Sequence, residues 1–151
     1  MSFFIDASTG PGFGLYHWLS GLGGDFAGFA FHMQTCLGAR FLRRFGLGAG
    51  GAFQPLVAQS GFFGGGYAGA CFEVEPIERL HFDATAGFGG VGATGAATVG
   101  PALAAGASYD VVGDEKVRMF LGLRVLALPG WNNGRSGFYA SPTFSIGVRY
   151  W

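Results

Sequence analysis

Hydrophobic and polar positions alternate with a period of two along most of the chain. The segment 143–151 shows it most plainly: Phe144, Ile146, Val148 and Tyr150 share one face, and Thr143, Ser145, Gly147 and Arg149 share the other. Such a period belongs to a strand whose two faces meet different surroundings. Read this way, the chain predicts eight strands, near 3–16, 26–37, 44–56, 64–74, 80–89, 99–111, 117–127 and 137–151. In the fifth, Leu80, Phe82, Ala84, Ala86 and Phe88 alternate with His81, Asp83, Thr85, Gly87 and Gly89. In the seventh, Val117, Met119, Leu121, Leu123 and Val125 oppose Arg118, Phe120, Gly122, Arg124 and Leu126. Pro11 interrupts the first strand and predicts a bulge or bend there.

Composition decides what the two faces mean. Half of the 151 residues are hydrophobic and only 12% are charged; there are 30 glycines and 17 phenylalanines. The charged share is about half of what a soluble domain carries. The glycines follow no three-residue period, which excludes collagen, and so many aromatics argue against disorder. No run of about 18 apolar residues exists that could form a transmembrane helix. A bilayer admits only helices and closed barrels, because every backbone polar group must be paired. A barrel remains, and its faces are inverted. The bulky apolar rows point to lipid, while the rows of Gly, Ala, Ser and mid-strand charge point into a narrow lumen that eight strands leave just wide enough for side chains. The expected fold is an all-β, eight-stranded, antiparallel up-and-down transmembrane barrel in a single domain over 1–151.

The charges mark the ends. Arg40, Arg43 and Arg44 form one cluster, Glu73, Glu75, Glu78 and Arg79 a second, and Asp114, Glu115 and Lys116 a third. Their spacing, about 36 residues, is that of a hairpin of two bilayer-crossing strands. These turns and both termini are expected on the periplasmic side. The opposite loops, near 17–25, 59–65, 90–100 and 129–137, would be external. Trp18, Tyr67, Tyr109, Trp131, Tyr139, Tyr150 and Trp151 lie mostly near strand ends, where interfacial aromatic girdles sit. Tyr67, Phe120, Arg118, Arg124 and Arg149 are expected to fill the lumen. Asp6, Glu73, Asp83 and Asp110 face Arg118, Arg124 and Arg149 there; buried charges persist only when paired, so an interior polar network is expected.

The eight alternating strands and the ending Gly-Val-Arg-Tyr-Trp resemble the small outer-membrane β-barrels of Gram-negative bacteria, the OmpA/OmpX/OmpW-like group. The resemblance covers the chain in architecture and is specific at the C-terminus. There Phe144, Ile146, Val148, Tyr150 and Trp151 match an alternating aromatic assembly signal. The resemblance implies recognition by the barrel-assembly machinery, contact with outer-membrane lipid and lipopolysaccharide, and a place in the bacterial outer membrane. In that family the last residue is an outward aromatic, whereas the outward register here ends on Tyr150; either a bulge shifts Trp151 or a residue has been trimmed. The start, Met1-Ser2-Phe3-Phe4-Ile5-Asp6, has no signal-peptide pattern, so a mature form with a replacement Met1 is expected, without a following peptidoglycan-binding domain.

Candidate chemistry changes the picture little. Net charge is zero, so no basic footprint suggests nucleic acid, and no cofactor is expected. Gly64, Gly65 and Gly66 lack the Lys-Ser/Thr of a phosphate loop. Cys36, Cys71 and His81 could be imagined as metal ligands, with Cys71 and His81 as cross-strand neighbours, but no CxxC or HxxxH cluster supports a site. A Cys36–Cys71 disulfide is not expected: one strand intervenes, which in a flat sheet separates the Cα atoms by around 10 Å. Some barrels of this size modify lipid A. No histidine follows His81 to activate Ser136, Ser141 or Ser145, and His17 with Asp25 at the first external loop only faintly matches the palmitoyltransferase type. The function expected is non-enzymatic: structural, adhesive or interacting, alone or with other envelope proteins in an assembly. The alternatives are a passive conduit for small hydrophobic molecules and a lipid-A-modifying enzyme.

Overall fold

Eight antiparallel strands close on themselves in the computed structural model. They are β1 (Ser2–Trp18), β2 (Phe26–Phe41), β3 (Phe45–Ala58), β4 (Gly61–Ile77), β5 (Leu80–Ala93), β6 (Ala96–Gly113), β7 (Val117–Asn132) and β8 (Arg135–Tyr150). The structure describes residues 2–19, 25–41, 44–58, 61–93, 96–132 and 135–151. Each strand pairs with its sequence neighbour, and β1 pairs with β8 through Ile5↔Tyr150, Asp6↔Arg149 and onward to Trp18↔Gly137. Closure leaves no free sheet edge, which satisfies the backbone inside an apolar medium. No helix among the described residues is long and apolar enough to cross a membrane.

The faces fall as the alternation predicts. Phe3, Phe88 and Leu123 are 66%, 68% and 66% exposed, while Arg149 is 1% exposed. Along β8, Phe144, Ile146, Val148 and Tyr150 point out and Thr143, Ser145 and Arg149 are buried. A water-soluble barrel would reverse this order. An exterior of Phe, Leu, Val, Ile and Met is stable against acyl chains, where it costs nothing to leave such side chains uncovered.

The strands run further than the alternation alone suggests. β4 begins at Gly61 and β5 continues to Ala93, so much of the segments 59–65, 90–100 and 129–137, expected as loops, is ladder. Glycine and alanine there carry no turn geometry of their own; paired on both sides, they simply continue the sheet. Pro11 causes no bulge: the β1–β2 register runs unbroken through Pro11↔Phe31, and towards β8 the pairing passes from Thr9↔Ile146 to Gly12↔Thr143 in the same register. A proline lacks only its N–H, and one ladder bond can be omitted. The shifts that occur lie elsewhere, between Val74 and Ile77 against β5 and between Asp110 and Val112 against β7. The turn joining β4 to β5 holds Arg79 at φ 70°.

The lumen has two tiers. Towards the end opposite the termini, Tyr16, Leu56, Tyr67, Val91, Leu126, Leu128 and Tyr139 form an apolar core. Hydrogen bonds within this tier join Tyr16 to Thr98 at 3.0 Å, Gln54 to Ser141 at 2.5 Å, and Tyr67 to Gln34 at 3.2 Å. Tyr67 is interior, as expected of a lumen filler, and so is Tyr139, expected only in the aromatic girdle; both hold inward positions of the alternation. Tyr109, Trp131 and Tyr150 do face outward, and the Trp18 side chain lies outside what is described. Towards the termini the lumen is ionic.

Cys36 and Cys71 form a disulfide, contrary to the sequence expectation, with Cα atoms 6.5 Å apart. The flat-sheet estimate fails because a closed eight-stranded wall curves sharply and inward side chains converge. β3 puts Gly48 opposite Cys71 and Gly50 opposite Cys36. No side chain stands between the sulfurs: a Cβ on Gly50 would come within 2.9 Å of both Cys36 Cα and Cys71 Sγ.

Candidate functional site

The ionic tier gathers charged side chains from seven of the eight strands. β8 brings Arg149 inward because Phe144, Ile146, Val148 and Tyr150 take the lipid face. Its guanidinium donates to Asp6 of β1 from Nη2 (2.8 Å) and Nε (3.0 Å), to Asp110 of β6 from Nη1 (2.8 Å), and to the Ser108 hydroxyl (3.1 Å). Glu73 of β4 lies 3.7 Å from Nε, and the Phe120 ring lies under the guanidinium at 4.6 Å. Arg124 of β7 reaches across β6 to pair with Asp83 of β5; Gly106, opposite both, leaves the path open. Arg118 of β7 donates to Asp110 at 3.2 Å and lies 3.8 Å from Glu75.

Of the seven residues expected in the interior network, Asp6, Glu73, Asp110, Arg118 and Arg149 are joined by these contacts, while Asp83 and Arg124 form a separate pair beside them, around the same small cavity as Asp6 and Glu73. Three more members were not anticipated. Arg40 of β2 donates to Glu73 and Glu75, each at 3.1 Å. His81 of β5, fully buried, sets Nδ1 at 2.8 Å from Glu73 and Nε2 at 3.0 Å from Asp110. Carboxylates accept and do not donate, so both ring nitrogens donate and His81 serves as a cation. Four arginines and His81 then face five carboxylates, and the cluster is electrically balanced. The signals were present: Arg40 continues the inward row His32, Gln34, Cys36, and Glu75 keeps the phase of Glu73.

Trp151 departs from its expected outward role. No bulge shifts β8: Tyr150 pairs with Val117 and Ile5, and the Trp151 amide donates to the Lys116 carbonyl at 3.0 Å. Trp151 therefore takes the inward phase. Its ring lies 3.4 Å from the Arg40 guanidinium, stacks on His81 at 5.7 Å, and packs beside Phe4, Cys36 and Cys71. The indole covers the ionic tier from the end that carries the termini. Phe144, Ile146, Val148 and Tyr150 remain an outward row.

Other candidates are not assembled. Cys71 lies opposite Thr85 and His81 opposite Ser108, so the two are not cross-strand neighbours. Both cysteines are spent in the disulfide, and no metal-binding group of three acids, histidines or cysteines occurs among the described residues. At the far rim, His17 Nδ1 lies 2.5 Å from Asp25 Oδ1 in an exposed pair. A cavity of about 10 Å³ between Asp6, Gln34, Glu73, Asp83, Thr85 and Arg124 has room for about one water molecule. What the arrangement does chemically is pair its own buried charges.

No protein-family model matches the chain, and no curated protein matches it significantly. Solved structures do. Neisserial surface protein A is 17% identical, with 98% of this chain and 96% of that one covered and a TM-score of 0.54. The attachment invasion locus protein Ail of Yersinia pestis, in complex with the heparin analogue sucrose octasulfate, is 12% identical over 99% of this chain and 100% of that one, with a TM-score of 0.63. A second structure of Ail is 13% identical over 99% of this chain and 100% of that one, with a TM-score of 0.56. The chain has the fold of these small, closed, eight-stranded barrels.

Proposed function

We propose that this chain is a non-enzymatic structural or interaction barrel of the outer membrane, working through its lipid-facing wall and contacts within the membrane. The observation that carries the reading is the side-chain filling of the lumen: a balanced ionic tier under Trp151 at one end and an apolar tier at the other. A lumen filled this way favours neither a conduit nor a reaction chamber. The termini and charged turns would face the periplasm. Lipopolysaccharide, the barrel-assembly machinery and neighbouring envelope proteins are the partners such a wall would meet, and the outward row Phe144, Ile146, Val148 and Tyr150 is the surface an assembly factor would read.

An adhesin of the polyanion-binding type is less well supported. Ail is seen with a heparin analogue. Among the described residues, however, seven of the eight lysines and arginines lie in the ionic tier or at the charged turns, and Arg135 alone of them stands near the opposite end. The test is purification from native outer membranes after in-membrane cross-linking, with identification of co-purifying proteins. Reproducible membrane partners are expected, with lipid A masses unchanged by the protein and no conductance in planar bilayers. Altered lipid A, or steady conductance, would replace this reading with one of its two rivals.

A further inference from the structure

The disulfide is buried inside the folded barrel. Cys36 and Cys71 are each 5% exposed. β3 passes behind them as the wall, Phe4 and Trp151 pack against them, and the ionic tier lies alongside. Thiol–disulfide exchange needs a sulfur of the oxidant to meet a protein thiolate directly, through a mixed disulfide. No oxidant the size of a protein can bring its sulfur into this lumen.

From this we infer that the Cys36–Cys71 bond is made before the barrel closes, by a disulfide-bearing thiol oxidase acting on the unfolded chain. The Cys36 or Cys71 thiolate attacks the oxidant's disulfide and releases one oxidant thiol. The second cysteine thiolate then attacks the mixed disulfide, forming the Cys36–Cys71 bond and releasing the second thiol. Two protein thiols are oxidised, one oxidant disulfide is reduced, and the two protons leave with the oxidant thiols. The bond links β2 to β4 across β3 with a sequence separation of 35. The chain would therefore reach the membrane with these three strands already tied as one unit. The oxidant's location rests on the outer-membrane reading, since the path there crosses an oxidising compartment; the burial of the bond does not.

The test uses the purified full chain and glutathione disulfide. The reduced chain is folded into detergent micelles, exposed to the oxidant, and its free thiols are counted by a maleimide–polyethylene glycol gel shift, beside the same chain in urea. Oxidation of the folded barrel is expected to be slower by more than about tenfold, because it must await opening of the structure. A folded rate within tenfold of the unfolded one would overturn the inference. If the reduced chain does not fold, the oxidised barrel is treated with dithiothreitol at a concentration that reduces the urea-unfolded chain completely. Retention of the bond supports early formation, and loss at the unfolded rate rejects it. Neither arm depends on which membrane the protein occupies, so a failure here and a failure of the functional reading are separable.

Discussion

Arg79 sits at φ 70° in the tight turn between β4 and β5, a conformation that costs an L side chain roughly 1–2 kcal/mol and glycine little. The turn is held by the backbone: the Arg79 amide donates to Glu75 Oε1 at 3.1 Å, and its carbonyl accepts from the Asp110 amide at 2.9 Å. None of these bonds uses the guanidinium. Arg79→Gly keeps both and removes the steric cost, so it is expected to stabilise the barrel by about 1 kcal/mol, less the chain entropy glycine adds to the unfolded state. Urea unfolding in micelles would show a raised midpoint; a lowered one would mean the arginine side chain carries weight the geometry does not show. At this scale the alternation made most side-chain directions legible. Glu73, Asp83, Asp110, Arg118, Arg124 and Arg149 could be assigned inward because a lipid face tolerates no charge. Trp151 shares the inward phase of Arg149, and the outward final aromatic that the family resemblance implies is not what this chain has.

Between β6 and β7 the chain reverses over 114–116, and Asp114 organises the reversal. Its Oδ1 accepts from the amides of Lys116 (2.8 Å) and Val117 (2.9 Å), and its own amide donates to the Val117 carbonyl at 3.0 Å. These bonds, that from Val117 first, hold the exposed carboxyl below the ordinary carboxylate range. A carboxyl whose folded value is depressed contributes stability that is fully present above its unfolded value and lost as pH falls through the folded one. Asp114→Ala should thus be less stable than the parent by a constant margin at neutral pH, and the margin should shrink on acidification below the ordinary carboxylate range. A margin that grows in acid would contradict this assignment. The β2–β4 disulfide is the element-scale feature that stayed hidden. Strand spacing in a flat sheet gives the wrong distance, and the glycines that let the bond cross β3, Gly48 and Gly50, look like any others in a glycine-rich chain. In chain-entropy terms a loop of this length is worth about 4 kcal/mol. Cys36→Ser with Cys71→Ser should therefore lower unfolding stability by up to that amount while leaving the strand content seen by circular dichroism unchanged. No loss at all would mean the unfolded chain is already constrained there.

For the whole molecule, the question is what an ionic interior contributes when the exterior gains nothing from water. Fold class was legible from the chain because two facts agree: large apolar rows repeat at period two, and charge is too scarce to cover a soluble surface. The extent of the ionic tier was less so, since Arg40 and Glu75 lie beyond the ends, 37 and 74, that the alternation predicts for their strands. Arg149 decides how the tier should be weighed. Exposed ion pairs are worth about 0–1 kcal/mol, whereas removing one member of a buried set costs about 3–5 kcal/mol, because the charge left behind has no solvent. Arg149 is 1% exposed and serves Asp6, Asp110 and Ser108 together, so Arg149→Met should fall in the second range. Asp6 pairs with Arg149 through two of these bonds, and adding Asp6→Asn to Arg149→Met removes the stranded carboxylate and restores the balance of charge. The double variant should therefore be more stable than Arg149→Met alone, a coupling that a double-mutant cycle in urea measures directly. If the two losses simply added, the tier would be a row of independent contacts, and the filled lumen would owe its order to the backbone ladder and the apolar tier alone.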